Sequence, residues 1–392
     1  MHIAYDNKQM TVNTFKNIQE TGKDTYAKRN IGIEILRSLA MFMVIILHVL
    51  NFGINYEELV PFTVNWYCGW LLEGLSFCAV NIYAMISGYV MVKSKNKIAR
   101  LLELWMEVFF YSVISVVIMR VITPENVGII DIVKSFLPVC SQRFWYFTAY
   151  FLMFWFIPLF NWIINHLSFR QFRYLIFGLL GGVGCLSWIS EILGASAFGV
   201  LNGYSALWLS VCYFIGAGLK IYGFRIISFR KKEHSVRYYG VMAVFSGLLT
   251  YFSKIILTVI TTMLFGREVC TNVFYEYNSP LVIAEAIFLL CFFSQLKIKG
   301  GKWWIVIGRM TFGIYLIHQT QIFRNSVWHL FEKYANADGI IFVSAVLGGA
   351  ALIFIVCLII EWIRQKLFAI CKVQRFAERF AFRLEKCVEN FI

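Results

Sequence analysis

The segment IGIEILRSLAMFMVIILHVLNFG, residues 31–53, sets the fold class because it is apolar over a length that matches a membrane. A helix rises about 1.5 Å per residue, so about 20 apolar residues cross a hydrocarbon core of ~30 Å. A polar segment precedes this run and no small-residue cleavage site follows it, which argues against a cleaved secretory signal. We therefore expect residues 31–53 to form the first transmembrane helix.

The rest of the chain has the same apolar character. Hydrophobic residues occupy 59% of the 392 positions and charged residues only 15%, whereas soluble domains are about half apolar and a quarter charged. Ten runs are long and apolar enough for membrane helices. They cover about residues 32–53, 66–92, 101–121, 145–165, 174–193, 205–222, 239–264, 280–296, 304–323 and 339–363. The sequence predicts an all-α fold, a polytopic membrane helical bundle of about ten transmembrane helices.

The basic residues are unevenly distributed between the predicted loops. Lys and Arg number 36 against 22 Asp and Glu, a net charge of +14 that in a soluble protein would suggest nucleic-acid binding. Here 28 of the 36 lie on the side of the bundle that holds both termini, and 6 lie on the opposite side. Because basic residues favour cytoplasmic loops, we expect both termini in the cytoplasm of a plasma-membrane protein and no nucleic-acid partner.

This layout divides the chain into three segments. Residues 1–28 are predicted to be a polar cytoplasmic leader, residues 29–365 the membrane-embedded domain, and residues 366–392 a basic amphipathic cytoplasmic tail. The tail mixes arginines with phenylalanines at helical spacing, which is typical of a helix on an anionic lipid surface. The lipid bilayer is therefore one expected partner.

Motifs for cofactors and metals are missing from the sequence. The ten cysteines are scattered without a CxxC pair, and no Cys/His cluster has the spacing of a zinc site. Neither a Walker A loop nor a dinucleotide-binding GxGxxG motif is found. We expect no metal and no bound cofactor, so the chemistry is predicted to lie within the helical bundle.

Three polar side chains of the first run share one face of the predicted helix. His48 follows Arg37 by eleven positions, which at about 100° per residue brings it to ~20° from the same direction, and Glu34 lies ~40° beyond His48, on the side away from Arg37. Ionisable groups at this depth cost about 2.5–3.5 kcal/mol each on insertion. The functional interpretation is an anion-holding Arg37 and a His48 that exchanges protons near neutral pH. A snorkelling arginine and a histidine that satisfies a neighbouring helix are the structural alternative.

Other polar groups mark further positions in the predicted bundle. The ninth run contains Tyr315 and His318, and His318 lies at about the depth of His48, so a histidine pair and a helix-packing role are both open. Glu73 in the second run is a candidate for the wall of a cavity. Trp145 begins the fourth run in the sequence FWYF, where aromatic residues also serve as membrane-interface anchors.

A basic turn joins the second and third runs. It contains Lys93, Lys95, Lys97 and Arg100, a cationic group suited to the phosphates of a ligand. The general preference of basic residues for cytoplasmic loops is the alternative explanation. The turn is therefore a candidate binding site for a phosphate-bearing substrate.

Together these blocks resemble the acyltransferase 3 family of integral membrane acyltransferases. The similarity consists of the Arg37-x10-His48 helix with Glu34 before it, the SGY that begins at Ser87, the basic turn, the FWYF of the fourth run and TFGIYLIHQ in the ninth. The blocks occur in the family's order, and the resemblance covers about residues 29–365. The combination of these blocks is specific to the family, whereas no single block is.

The resemblance implies transfer of an acyl group, usually acetyl from cytoplasmic acetyl-CoA, to a carbohydrate hydroxyl at the outer face. Arg37 and His48 match the family's essential pair, which implies that both are catalytic and that Arg37 also contributes to donor binding. The family's Arg-x-x-Arg is Lys97-x-x-Arg100 in this chain, which keeps the charge but has one guanidinium group fewer. The residues expected to support the site are Glu34, Glu73, Ser87, Trp145, Tyr315 and His318.

Several alternatives stay open at the level of sequence. The acceptor is compatible with capsule or exopolysaccharide sugars, teichoic acid, peptidoglycan or a small glycosylated metabolite, and acetyl is preferred over succinyl only as the family's commonest case. A homo-oligomer and partners from glycan assembly are both compatible with the chain. A proton-coupled transporter of a small metabolite is the main alternative function, because such proteins also carry intramembrane His, Glu and Lys. Against it, the sequence shows no internal repeat.

Overall fold

The computed structural model describes residues 29–94, 98–124, 127–196, 198–226 and 234–389, and this part of the chain is helical without strands, with 80% helix. Its α-helices in chain order are α1 (Ile31–His48), α2 (Val64–Ser76), α3 (Ala79–Met91), α4 (Ile98–Ile122), α5 (Ile129–Phe136), α6 (Trp145–His166), α7 (Phe169–Gly178), α8 (Ser187–Ile192), α9 (Ala206–Tyr222), α10 (Val236–Phe265), α11 (Pro280–Gln295), α12 (Lys302–His318), α13 (Gln321–Ser326), α14 (His329–Glu332), α15 (Gly339–Ile370) and α16 (Val373–Glu389). Two π-helical segments, Val49–Ile54 and Leu179–Leu186, continue α1 and α7.

Each of the ten apolar runs of the sequence is helical. Among the described residues, seven helical spans are long and apolar enough to cross a membrane, and one of them is the pair α2–α3, which the second run forms with a turn between them. The shorter apolar helices α9 and α11 and the 17-residue helix α12 account for the other runs. The helical membrane fold is confirmed, whereas ten crossings and cytoplasmic termini stay predictions.

Helix α1 lies at the centre of the bundle. It packs against α2, α3, α11, α12 and α15. Its apolar window is 67% buried inside the protein, more than that of the other six spans. The helix that carries Arg37 and His48 is therefore enclosed by protein, which lets ionisable side chains find partners at membrane depth.

Helices α3 and α9 approach each other closely through a pair of glycines. A Cβ at Gly88 of α3 would clash with the backbone carbonyl of Tyr213 on α9, and a Cβ at Gly216 of α9 would clash with the carbonyl of Met85 on α3. Small residues at facing positions let two membrane helices pack backbone to backbone. The glycine of the SGY motif thus has a packing role.

Lys254 on α10, whose function the sequence does not indicate, lies in a polar cluster formed by the loop that follows its own helix. Its ammonium group is 2.7 Å from the carboxylate of Glu268, 2.6 Å from the hydroxyl of Thr271 and 2.9 Å from the side-chain oxygen of Asn272. It also lies 4.2 Å from the ring centre of Trp70. The cluster ties residues 266–279 to α2 and α10 and satisfies a charge that would otherwise be costly.

The C-terminal segment forms α16, which packs against α4. Ala377 and Ala381 are buried, whereas Phe376 and Phe380 are exposed together with the basic residues of the helix. Contact of this helix with the inner leaflet stays a prediction, and the predicted leader, residues 1–28, lies outside the described residues.

Candidate active site

His48 is the last residue of α1, at the point where the helix continues as the π-helical segment Val49–Ile54. Segments of π-helix frequently occur at functional sites. Nδ1 of His48 lies 2.9 Å from Nε2 of His318, the last residue of α12, and Nδ1 of His318 lies 2.5 Å from the carbonyl oxygen of Ile314. The ends of α1 and α12 are therefore joined by a chain of hydrogen bonds.

The order of donors in this chain determines the tautomers of both histidines. A carbonyl oxygen only accepts, so Nδ1 of His318 carries the proton, and Nε2 of neutral His318 is an acceptor. His48 then donates from its Nδ1, and its Nε2 keeps a lone pair. Nε2 is thus the atom of His48 that is able to take a proton from a hydroxyl group.

Gln319, Arg324 and Phe52 complete the surroundings of His48. The carboxamide nitrogen of Gln319 is 2.8 Å from Nδ1 and 2.9 Å from Nε2 of His48. The carboxamide oxygen accepts a hydrogen bond of 3.1 Å from Arg324. Phe52 stacks on the imidazole with ring centres 5.2 Å apart, and the guanidinium group of Arg324 lies 5.2 Å from the centre of the Phe52 ring. The imidazole is therefore held on several sides.

A cavity of about 250 Å³ lies beside His48. Along α1 it is lined by Met41, Val44, Leu47 and His48. Met41, Val44 and His48 follow Arg37 at helical spacing on the same face. The aromatic residues of its wall are Phe52, Phe77, Tyr83, Trp145, Tyr146, Tyr204, Tyr277, Phe312 and Tyr315. The volume is close to the lower end of the ~300–1,000 Å³ that is typical of small-molecule pockets.

Three aromatic side chains of the cavity wall are grouped at the beginning of α6 and in the loops before α9 and α11. Ring centres are 4.6 Å apart between Trp145 and Tyr204 and 4.8 Å apart between Tyr204 and Tyr277. Burial, and then the neighbouring phenol of Tyr204, raise the pKa of Tyr277 well above its usual value, so its hydroxyl group is neutral. All three side chains line the cavity, so this part of its wall is aromatic and includes the neutral hydroxyl of Tyr277.

Glu73 and Tyr315 also line this cavity. Glu73 is 2% exposed, and its Oε2 has no hydrogen-bond partner within the described residues. The ring of Tyr315 lies 6.2 Å from that of His318. Of the predicted site residues, His48, Glu73, Trp145 and Tyr315 therefore line one cavity, and His318 lies directly behind His48.

Arginine side chains gather around Glu34 at the other end of α1. Arg37 binds one carboxylate oxygen of Glu34 at 2.6 Å, and Arg29 binds the other at 3.2 Å. Burial, and then the nearby charge of Arg309, lower the pKa of Arg29. Two guanidinium groups thus share one carboxylate. The hydroxyl of Tyr83, a cavity residue, donates to the carbonyl of Arg37 at 2.7 Å.

The remaining predicted residues lie away from the cavity or outside the described residues. Ser87 donates a hydrogen bond of 3.0 Å to the carbonyl of Tyr83 and is not among the lining residues. Arg100 is exposed and pairs with Glu103 at 3.0 Å. Lys97 belongs to residues 95–97, which lie outside the described residues. In the part of the chain that the structure describes, no three metal-ligating side chains come together.

Sequence reasoning missed Gln319, Arg324, Tyr204 and Tyr277. Gln319 directly follows His318, and Arg324 is one of the few basic residues on the predicted outer side, so both carried a weak signal. Tyr204 and Tyr277 lie in loops without a motif, and only the packing of those loops brings them to the cavity.

Comparison with known protein families gives a match over most of the chain. The family described as an acyltransferase domain, Acyl_transf_3, matches residues 30–362. This range contains every residue that lines the cavity beside His48. No curated protein and no solved structure matches the chain.

Proposed function

This chain belongs to the acyltransferase 3 family and is a membrane acyltransferase, and on that premise we propose that it transfers an acetyl group from cytoplasmic acetyl-CoA to a hydroxyl of an extracytoplasmic glycan or glycoconjugate. The observation that carries the proposal is the orientation of His48, which donates to His318 from Nδ1, keeps its lone pair on Nε2 and lines a cavity. A base with this orientation suits removal of a proton from a hydroxyl group.

In the proposed reaction the acceptor oxygen forms a bond to the carbonyl carbon of the thioester, and its proton passes to Nε2 of His48. The tetrahedral intermediate then collapses with cleavage of the carbon–sulfur bond, and the proton leaves with the sulfur as the CoA thiol. His48 ends the cycle neutral. Direct transfer and brief acetylation of Nε2 use the same lone pair, and both are compatible with this arrangement.

The arginines around Glu34 support binding of the CoA phosphates. Arg29 and Arg37 together carry more positive charge than the single carboxylate of Glu34 neutralises. Guanidinium groups bind phosphates through paired N–H donors. We propose that Lys97 and Arg100 of the basic turn add to this donor site. His48 lies ~16 Å from Arg37 along the axis of α1, a separation for the flexible arm of CoA to bridge.

The aromatic group at the cavity supports a carbohydrate acceptor. Trp145, Tyr204 and Tyr277 offer flat faces for the C–H groups of a sugar ring, and Glu73 offers a carboxyl group for its hydroxyls. A few polar groups within a mainly apolar wall are the usual means of orienting a ligand. We propose that this part of the cavity holds the acceptor.

The test is transfer of label from radiolabelled acetyl-CoA to glycans in host membranes by the purified protein in lipid nanodiscs. We expect labelled glycan with the wild-type protein and with His166→Ala, an exposed residue at the end of α6, and none with His48→Ala. Labelled propionyl-CoA and succinyl-CoA test the choice of donor. Transfer at the wild-type rate by folded His48→Ala protein would exclude His48 as the base, and absence of transfer from every donor would refute the function.

A further inference from the structure

The carboxamide of Gln319 lies against the imidazole of His48 and is anchored by Arg324. Its nitrogen is 2.8 Å from Nδ1 and 2.9 Å from Nε2 of His48. A guanidinium group only donates, so the carboxamide oxygen faces Arg324 and the NH2 group faces His48. The two distances are almost equal, and because Nδ1 of His48 carries its own proton, Nε2 is the ring nitrogen that is able to accept from Gln319. An N–H donor is therefore held at the atom proposed as the base.

This hydrogen bond uses the lone pair that the acceptor hydroxyl must also use. When the hydroxyl donates to Nε2 of His48, the N–H of Gln319 gives up that bond. The amide stays beside the reacting atoms, because Arg324 still holds its oxygen. Gln319 also lines the cavity, so its released N–H faces the space in which the thioester carbonyl reacts.

We propose that Gln319 is a catalytic residue that donates a hydrogen bond to the oxyanion of the tetrahedral intermediate, and that Arg324 is its positioning residue. The proposal rests on the acyl-transfer function proposed above. As the acceptor oxygen bonds to the carbonyl carbon, negative charge collects on the thioester oxygen, and the N–H of Gln319 stabilises it. Collapse restores the carbonyl and breaks the carbon–sulfur bond. No covalent bond to Gln319 forms or breaks.

A purely positioning role for Gln319 predicts a different order of variant activities. Gln319→Ala removes the donor, whereas Gln319→Glu replaces it by a carboxylate of nearly the same shape. If Gln319 binds the oxyanion, Gln319→Glu is the slower variant, because the carboxylate repels the developing negative charge. If Gln319 only holds the imidazole, Gln319→Glu retains a contact with His48 and is the faster variant.

The experiment measures kcat and KM for radiolabelled acetyl-CoA in nanodiscs, with host membranes as the acceptor. We expect Gln319→Ala to lower kcat by about 10²–10³-fold with KM nearly unchanged, as for other single oxyanion donors. Gln319→Glu should be slower still. Arg324→Gln should lower kcat less, because the Gln319 amide is still present but Arg324 no longer holds it in one orientation. Matched controls are Gln374→Ala on α16 and Arg267→Gln in the loop after α10, both exposed and both expected at wild-type rates.

Gln319→Met serves as a second variant if Gln319→Ala fails to fold, because it fills the same space without donating. A rate for Gln319→Glu above that of Gln319→Ala or Gln319→Met would overturn the proposal. So would a rise in KM at unchanged kcat. Failure of the wild-type protein with every donor would instead refute the proposed function, so the two failures are distinguishable.

Discussion

His48 and His318 face each other across the bundle, with Nδ1 of the first 2.9 Å from Nε2 of the second. They lie 270 positions apart in the chain, at the ends of α1 and α12. His318 is fully buried and donates to the carbonyl of Ile314. The orientation of His48 is thus a property of the packing of two helices, and His318 is a positioning residue in the proposed reaction.

Replacing His318 by Gln or by the shorter Asn tests whether His318 orients the imidazole of His48. In His318→Gln the side-chain oxygen takes the place of Nε2 and still accepts from His48, whereas the shorter His318→Asn places its amide near Nδ1 and leaves His48 without an acceptor. We expect His318→Gln to keep much of the transfer rate and His318→Asn to lose about 10²-fold, as when a general base is impaired. Rates of label transfer at saturating acetyl-CoA measure the difference.

Thermal unfolding of the same two variants is the control, since both lose the imidazole from a buried position. Similar unfolding temperatures with different rates would support a positioning role. Equal rates in the two variants would show that His318 contributes packing alone.

Loss of an arginine near Glu34 is expected to affect the donor rather than the chemical step. Arg37→Ala and Arg29→Ala should each raise KM for acetyl-CoA about tenfold or more, the cost of a charge-assisted hydrogen bond to phosphate, with a smaller change in kcat. Raising the salt concentration should reduce the difference in KM between each variant and the wild-type protein, because salt screens the charges. Arg170→Ala on α7, an exposed arginine, is the matched control. Unchanged KM in both variants would remove these arginines from the donor site.

The helices were predictable because hydrophobic length and helical spacing are local properties of a sequence. The run at 31–53 is α1 with its π-helical extension, and the other apolar runs are helices as well. The sequence leaves the pairing of His48 with His318 open, because similar depth in a membrane suggests a contact but does not select the neighbouring helix. The packing of α12 against α1 selects it.

Other parts of the site depend on loops whose paths local patterns do not encode. Lys254 has no partner at helical spacing, since Glu268 and Thr271 reach it only because the loop after α10 folds back. Tyr204 and Tyr277 likewise reach the cavity through loop packing. Gln319 is visible beside His318 in the sequence, but its role depends on Arg324 holding its oxygen, which is a tertiary contact.

The contact of α3 with α9 predicts a strong effect of adding one methyl group at Gly88. Gly88→Ala should lower stability by about 1–3 kcal/mol, the usual cost of overpacking, because its Cβ would clash with the backbone of α9. Gly182→Ala is the matched control, since a Cβ at Gly182 has no atom within 4 Å. Thermal unfolding in detergent measures both. A Gly88→Ala protein as stable as Gly182→Ala would show that the two helices separate at little cost.

The ion pair of Lys254 and Glu268 predicts a stability difference that depends on pH. Partial burial disfavours the charged form of Glu268, but the hydrogen bond and the charge of Lys254 outweigh burial and lower its pKa. A carboxyl group with a lowered pKa contributes stability above its unfolded pKa of about 4.3, and this contribution is lost as pH falls through the folded value. Lys254→Met removes the partner, so it should unfold a few degrees below the wild-type protein at pH 7, and this difference in unfolding temperature should disappear in acid.

The double variant Lys254→Met with Glu268→Gln, which carries neither charge, should show little of this pH dependence. A gap between Lys254→Met and wild type that stays constant from pH 7 to acid would mean that Lys254 acts through its packing against Trp70 and not through Glu268.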